Sequence, residues 1–149
     1  MKCPACNAEP LRLSAVAEGL SYCPNCSNFF FTGERMGLSV PAILRALVEV
    51  SGFPDVLDGE RAAHIAVRIL GRDAPMAVAL LVLGAAGFGM RGLLSRGDIA
   101  SPERRVEAVA EEAVRRTGLP AGTAQYLAES YAFAIGLLES EPIIRPQEG

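Results

Sequence analysis

One histidine, one lysine and four cysteines are all that 149 residues contain of those types, and each scarcity closes a route. His64 stands beside Ile65 in a helical stretch and reads as a helix-face residue, not as a general base. Lysine occurs only at Lys2, against thirteen scattered arginines. With a net charge of −3, the chain has no general attraction for nucleic acid or anionic lipid. An apolar signal run is also missing, because Lys2 leads into a polar, cysteine-containing stretch. The expected compartment is therefore a reducing cytoplasm, where paired cysteines hold metal more often than they form disulfides. Half the residues are hydrophobic and about a fifth charged, so a buried core is expected and disorder is not. The length suits one ordinary domain, or a very small one joined to a domain of about a hundred residues.

The cysteines fall in two Cys-Pro-x-Cys steps, Cys3-Pro4-Ala5-Cys6 and Cys23-Pro24-Asn25-Cys26, with residues 7–22 between them. That spacing is in the range of a four-cysteine zinc site. Each step is a tight turn that aims two thiolates at one point, with Pro4 and Pro24 pre-setting part of the backbone. Two such knuckles supply four soft ligands in a tetrahedron, the arrangement of structural zinc, with no position left for water or substrate. Cys3, Cys6, Cys23 and Cys26 are therefore the predicted ligands of one structural Zn2+ per chain. A redox dithiol would place its thiolate at a helix N-terminus, and neither step opens an obvious helix. Disulfides and an iron centre are the remaining readings of the same residues, zinc being the usual occupant. "LRLSAV" and "GLSY" read as a hairpin turning near Glu18-Gly19, with Asn28 to Phe31 as a third strand. A unit this small depends on its metal for most of its stability.

These residues resemble the transcription-factor-IIB-type zinc ribbons of many small bacterial proteins, which run C-P-x-C-G-G and then C-P-x-C-G-G-x-W-x-D-x-G-E-L. The resemblance covers about residues 1–36, including Gly33-Glu34. Here Asn7-Ala8 and Ser27-Asn28 stand in place of the glycine pairs, Phe30 in place of the tryptophan, and the stretch before Gly33 is one residue shorter. The resemblance implies the metal knuckles and leaves the biological role open. A nucleic-acid role lacks its usual basic stripe: Lys2, Arg12 and Arg35 are balanced by Glu9, Glu18 and Glu34. Phe29, Phe30 and Phe31 could stack on bases, but strand alternation turns them to opposite faces, and packing is their expected role. Because the connection "TGERMGL" is short, at least one of them is expected to pack on the helical part.

From Ser39 the pattern becomes helical. "SVPAILRALVEVSG" begins at a Ser39 cap and stops at Gly52. "LDGERAAHIAVRILG" places Ala62, Ile65, Ala66 and Ile69 on one face, with Asp58 as N-cap and Gly71 as stop. "SPERRVEAVAEEAVRRTG" has Ser101 as cap, Pro102 in the first turn and Gly118 past the end, with an apolar stripe of Val106, Val109, Ala110, Ala113 and Val114. Glu111 and Glu112 fall on its solvated face. A last helix runs through "AGTAQYLAESYAFAIGLLES", and the tail beyond Pro142 is frayed. Residues 74–90 carry no charge; as one helix of about 25 Å they read as the buried centre of a bundle. A membrane span, for which this length is the lower limit, is the competing reading. "GAAGFGMRG" lies late in this stretch and not between a strand and a helix, so it is no phosphate loop.

The last helix also resembles the end of a helical module that recurs in bacterial multidomain proteins, which reads Glu-Ser-Trp-Ala-x-Ala-Leu-Gly after a Thr-Gly-Leu turn. The matching residues are Thr117, Gly118 and Leu119, then Glu129, Ser130, Tyr131, Ala132, Ala134, Ile135 and Gly136. Over roughly residues 40–140 the resemblance implies an interaction or scaffolding unit without chemistry. The expected fold is thus a small β zinc ribbon (1–36), an all-α helical bundle (37–141) and a short tail (142–149). The expected activity is non-enzymatic, as a zinc-binding adaptor for another protein, with no small-molecule substrate. A nucleic-acid-binding or transcription-linked regulator and a membrane-anchored ribbon protein are the alternatives.

Overall fold

A computed structural model describes residues 2–32, 38–95 and 101–143. Gly33-Glu34, most of the connection between strands and helices, and the tail beyond Ile143 lie outside the described residues. Strands β1 (Arg12–Leu13), β2 (Leu20–Tyr22) and β3 (Phe29–Phe31) form an antiparallel sheet in the order β1-β2-β3. Tyr22 pairs with both Arg12 and Phe29, and Leu20 with Phe31. The hairpin is as the sequence predicts, though its strands are shorter. Ser14 Oγ accepts from the amides of Val16 and Ala17 (3.1 and 2.9 Å) and holds the chain in a turn there.

Among the described residues six helices follow: α1 (Val40–Ser51), α2 (Arg61–Leu70), α3 (Pro75–Ala85), α4 (Met90–Leu94), α5 (Pro102–Thr117) and α6 (Ala121–Ala134), with a 3-10 turn at Pro54–Leu57. The caps of α1 and α5 are those the sequence predicts. Ser39 accepts from the Ala42 amide and Ser101 from the Arg104 amide, each at 3.3 Å, and Gly52 and Gly118 end the helices. α6 is the common partner of α1 and α5, and ten of its fourteen residues are buried. On α5 the stripe points inward as expected, with Val114 half-buried.

Three expectations are corrected. Asp58 is not the cap of α2; Glu60 occupies that position without a side-chain bond. The Asp58 carboxylate is instead gripped by both arms of the Arg91 guanidinium, at 2.9 and 2.7 Å, a geometry that outcompetes a capping bond. Residues 74–90 are not one helix. α3 ends at Ala85, where Gly87 takes a φ of 68° and the amides of Gly87 and Phe88 turn back to the carbonyls of Gly84 (3.0 Å) and Leu83 (3.2 Å). That paired closure stops a helix and sends the next apolar residue, here Phe88, into the core. Nor is α3 buried all round: Ala77, Ala79, Leu80 and Leu83 face the core, while Val78 and Val82 are exposed. Among the described residues no helix is long and apolar enough to cross a membrane. Finally, α6 stops short of the predicted end. Gly136, at φ 82°, closes it in the same way, with Leu137 N donating to Ala132 O at 2.8 Å.

Candidate metal centre

Two turns of nearly identical backbone carry the cysteines. In the first, Cys3 N donates to Ala8 O and Asn7 N to Cys3 O, both at 2.9 Å; in the second, Cys23 N donates to Asn28 O (3.0 Å) and Ser27 N to Cys23 O (2.8 Å). Asn7 and Ser27 adopt left-handed backbone, with φ 64° and 60°. Those are the places at which the ribbons named above have glycine.

The turns bring all four sulfurs within 4.8 Å of one another. Cys3 Sγ lies 3.6 Å from Cys26 Sγ, and Cys6 Sγ lies 3.6 Å from Cys23 Sγ. A disulfide would need about 2 Å. A tetrahedron with metal–sulfur bonds of about 2.3 Å has sulfur–sulfur edges of about 3.8 Å, so the spacing fits one metal ion held by four cysteines. Cys3 and Cys23 are buried, Cys26 is half-buried and Cys6 exposed.

The surrounding donors favour thiolates. The amides of Ala5 and Cys6 point at Cys3 Sγ (3.3 and 3.4 Å). Side-chain amides serve the outer sulfurs, Asn25 Nδ2 on Cys6 (3.4 Å) and Asn28 Nδ2 on Cys26 (3.2 Å). The Asn25 amide, with the Ala8 backbone, holds the Cys6 thiol down at about 6. At Cys23 the Cys26 backbone amide favours the thiolate, but desolvation and the neighbouring Cys26 and Cys6 sulfurs override it and push the thiol up to about 11. Four sulfurs this close cannot all ionise without a cation among them. A divalent metal would supply that cation.

The helices hold the sheet at several points. Arg12 reaches the carbonyls of Val50 and Ser51 (3.4 and 3.5 Å) at the C-terminal end of α1, where a cation is favoured. Glu49 accepts from Ser14 Oγ (2.6 Å) and from the Ala15 amide. Arg61 of α2 donates to Ser27 O and lies over the Phe29 ring, 5.1 Å from its centre. Phe29 is buried in the helical core and Phe31 packs against it, while Phe30 turns to the small cluster of Cys3, Leu11 and Cys23. The alternation expected along β3 is therefore present, and it joins sheet to helices.

The other residues considered from sequence lie apart from the sulfurs. His64 is exposed, its Nε2 3.3 Å from Glu60 Oε2. Glu112 pairs with Arg115 and Arg116 on the outside of α5, and Glu111 is exposed beside it. What sequence reading missed is the role of Asn25, Asn28, Arg61 and Glu49. Only Asn28 carried a signal, as a departure from the ribbon pattern.

The chain has a zinc-ribbon-like sheet with a four-cysteine cluster, joined to a helical part. No known protein family, curated protein or solved structure matches it.

Proposed function

We propose that the ion held by Cys3, Cys6, Cys23 and Cys26 is zinc, one per chain and structural, and that the protein acts by binding another protein and not by catalysis. The observation that carries the metal reading is the closed set of four sulfurs at tetrahedral spacing. Four thiolates fill the coordination sphere of zinc and leave no open position for water or substrate. Support for an interaction role comes from apolar side chains at the surface: Leu13 and Val16 on the ribbon, Phe53 after α1, Val78 and Val82 on α3. Phe29 to Phe31, the residues a single-strand binder would offer, are taken up in packing, which weighs against nucleic acid as the partner.

The metal test is direct. Protein purified under reducing conditions, without chelator, should contain about one zinc per chain; a metal-free preparation that also fails to take up added zinc refutes the reading. For the interaction, the intact zinc-loaded protein serves as bait against its source extract, with Phe53→Ser and Leu13→Ser as controls. A partner retained by the wild type and lost in the variants supports the proposal; a partner held equally by all three overturns the assignment to this surface.

A further inference from the structure

The four sulfurs are unequally reachable, and the side-chain amides that bond to them fall on the two more reachable ones. Cys3 and Cys23 open the two knuckles and are buried; Cys6 and Cys26 close them and face outward. The inner Cys3 takes backbone amides, which any sequence would supply. The outer pair also has backbone donors, Ala8 on Cys6 and Asn28 on Cys26, and adds side-chain carboxamides, Asn25 on Cys6 at 3.4 Å and Asn28 on Cys26 at 3.2 Å. Asn25 belongs to the second knuckle yet serves a sulfur of the first. Asn28 already gives its carbonyl to Cys23 N, so its side chain is an addition to the turn and not part of it. Both asparagines are exposed, and the backbone of the turns does not use their side chains.

We propose that Asn25 and Asn28 mask the outward half of the metal centre, their carboxamides drawing charge from the two accessible thiolates and so setting how readily the centre reacts with electrophiles. The inference rests on the zinc reading above. Four thiolates around a divalent ion leave a net charge of about −2, shared by the two sulfurs that solvent can reach. An N–H donor stabilises that charge without displacing the metal, and the sulfur lone pair becomes a poorer nucleophile. With an alkylating electrophile such as iodoacetamide, the Cys6 lone pair forms a C–S bond as the C–I bond breaks and iodide leaves with its electron pair. The product is a neutral thioether, a weak ligand, so one such event loosens the ion. The buried sulfurs are protected by position; the outer two need the amides.

The experiment uses the full-length, zinc-loaded protein as wild type, Asn25→Ala, Asn28→Ala and the double variant. Asn7→Gly serves as a control that changes a knuckle asparagine without touching either amide. Zinc content is measured first, then iodoacetamide modification at low extent, resolved by peptide mass mapping. In the wild type Cys6 and Cys26 should react before Cys3 and Cys23. Asn25→Ala should raise the rate at Cys6, and Asn28→Ala the rate at Cys26, by roughly three- to tenfold, the scale of one ordinary solvent-exposed hydrogen bond. Zinc should stay near one per chain, and the control should match wild type. Retained zinc with unchanged rates, or first modification at Cys3 or Cys23, overturns the inference while the zinc reading stands. A wild-type protein that takes up no zinc overturns both.

Discussion

Asn7 and Ser27 show how much a single backbone angle constrains the knuckles. A left-handed conformation costs most side chains roughly 1–2 kcal/mol, glycine nothing and asparagine less than others. Asn7→Ala should therefore lower the stability of the zinc-loaded protein by about 1 kcal/mol, and Asn7→Gly should leave it close to wild type, both readable in urea melts. The clustering of the four cysteines was legible from spacing alone, because two spaced Cys-x-x-Cys steps can bring four sulfurs to one point. The amides on their sulfurs were not, since no periodicity marks an asparagine as a donor to a residue nineteen positions away. Protonation follows from the same geometry. At pH 7 Cys6, at about 6, is mostly thiolate, whereas Cys23, at about 11, keeps its proton until metal expels it. Zinc uptake should then release protons, and zinc affinity should fall as pH falls, more steeply below about pH 6 where Cys6 also protonates. Calorimetric titration in two buffers of different ionisation enthalpy measures that release.

Among the helices, the two with a serine at the start and a glycine past the end were readable to the residue, because the caps are local chemistry. α3 was not. Its charge-free sequence says only that water is not required around it, and the closure at Gly87 depends on where Phe88 can find a core. The corrected helix makes a sharp contrast between neighbours. Leu83 is 2% exposed and Val82 37%. Leu83→Arg should cost about 4 kcal/mol or more, or abolish soluble expression, because it buries an unpaired charge. Val82→Arg should stay within about 0.5 kcal/mol in the same melt. Equal damage from both would contradict the exposed face.

Across the whole molecule, sheet and helices share one core: Ala17, Leu20, Tyr22 and Phe29 sit in the same cluster as Leu44, Leu47 and Leu127. Pattern could suggest this contact but not its register, which is set by the alternation of three consecutive phenylalanines. Phe29→Ser should destabilise the helical part by about 3 kcal/mol or more, and Phe29→Ser with Phe31→Ser should split a single unfolding transition into two. Chelation should act in the same direction. Losing the ion loosens the turn whose Ser27 carbonyl is held by Arg61, so the helices should melt earlier in the chelated protein, as followed by circular dichroism. Helices that melt unchanged after chelation would show that the ribbon is only an appendage.

Ser39, the cap of α1, also donates to the carboxylate of Glu141 at 3.0 Å, and α1 lies along α6. On a ribosome this order matters. The four sulfurs precede α1 in the chain, so a metal ion could be captured before α1 to α6 are made. α1 follows the sheet, but α6, which packs on it, is made only after α2 to α5. During that interval the nascent chain would hold a finished metal knot and a greasy helix without its α6 cover, the state in which a chaperone would find most to grip.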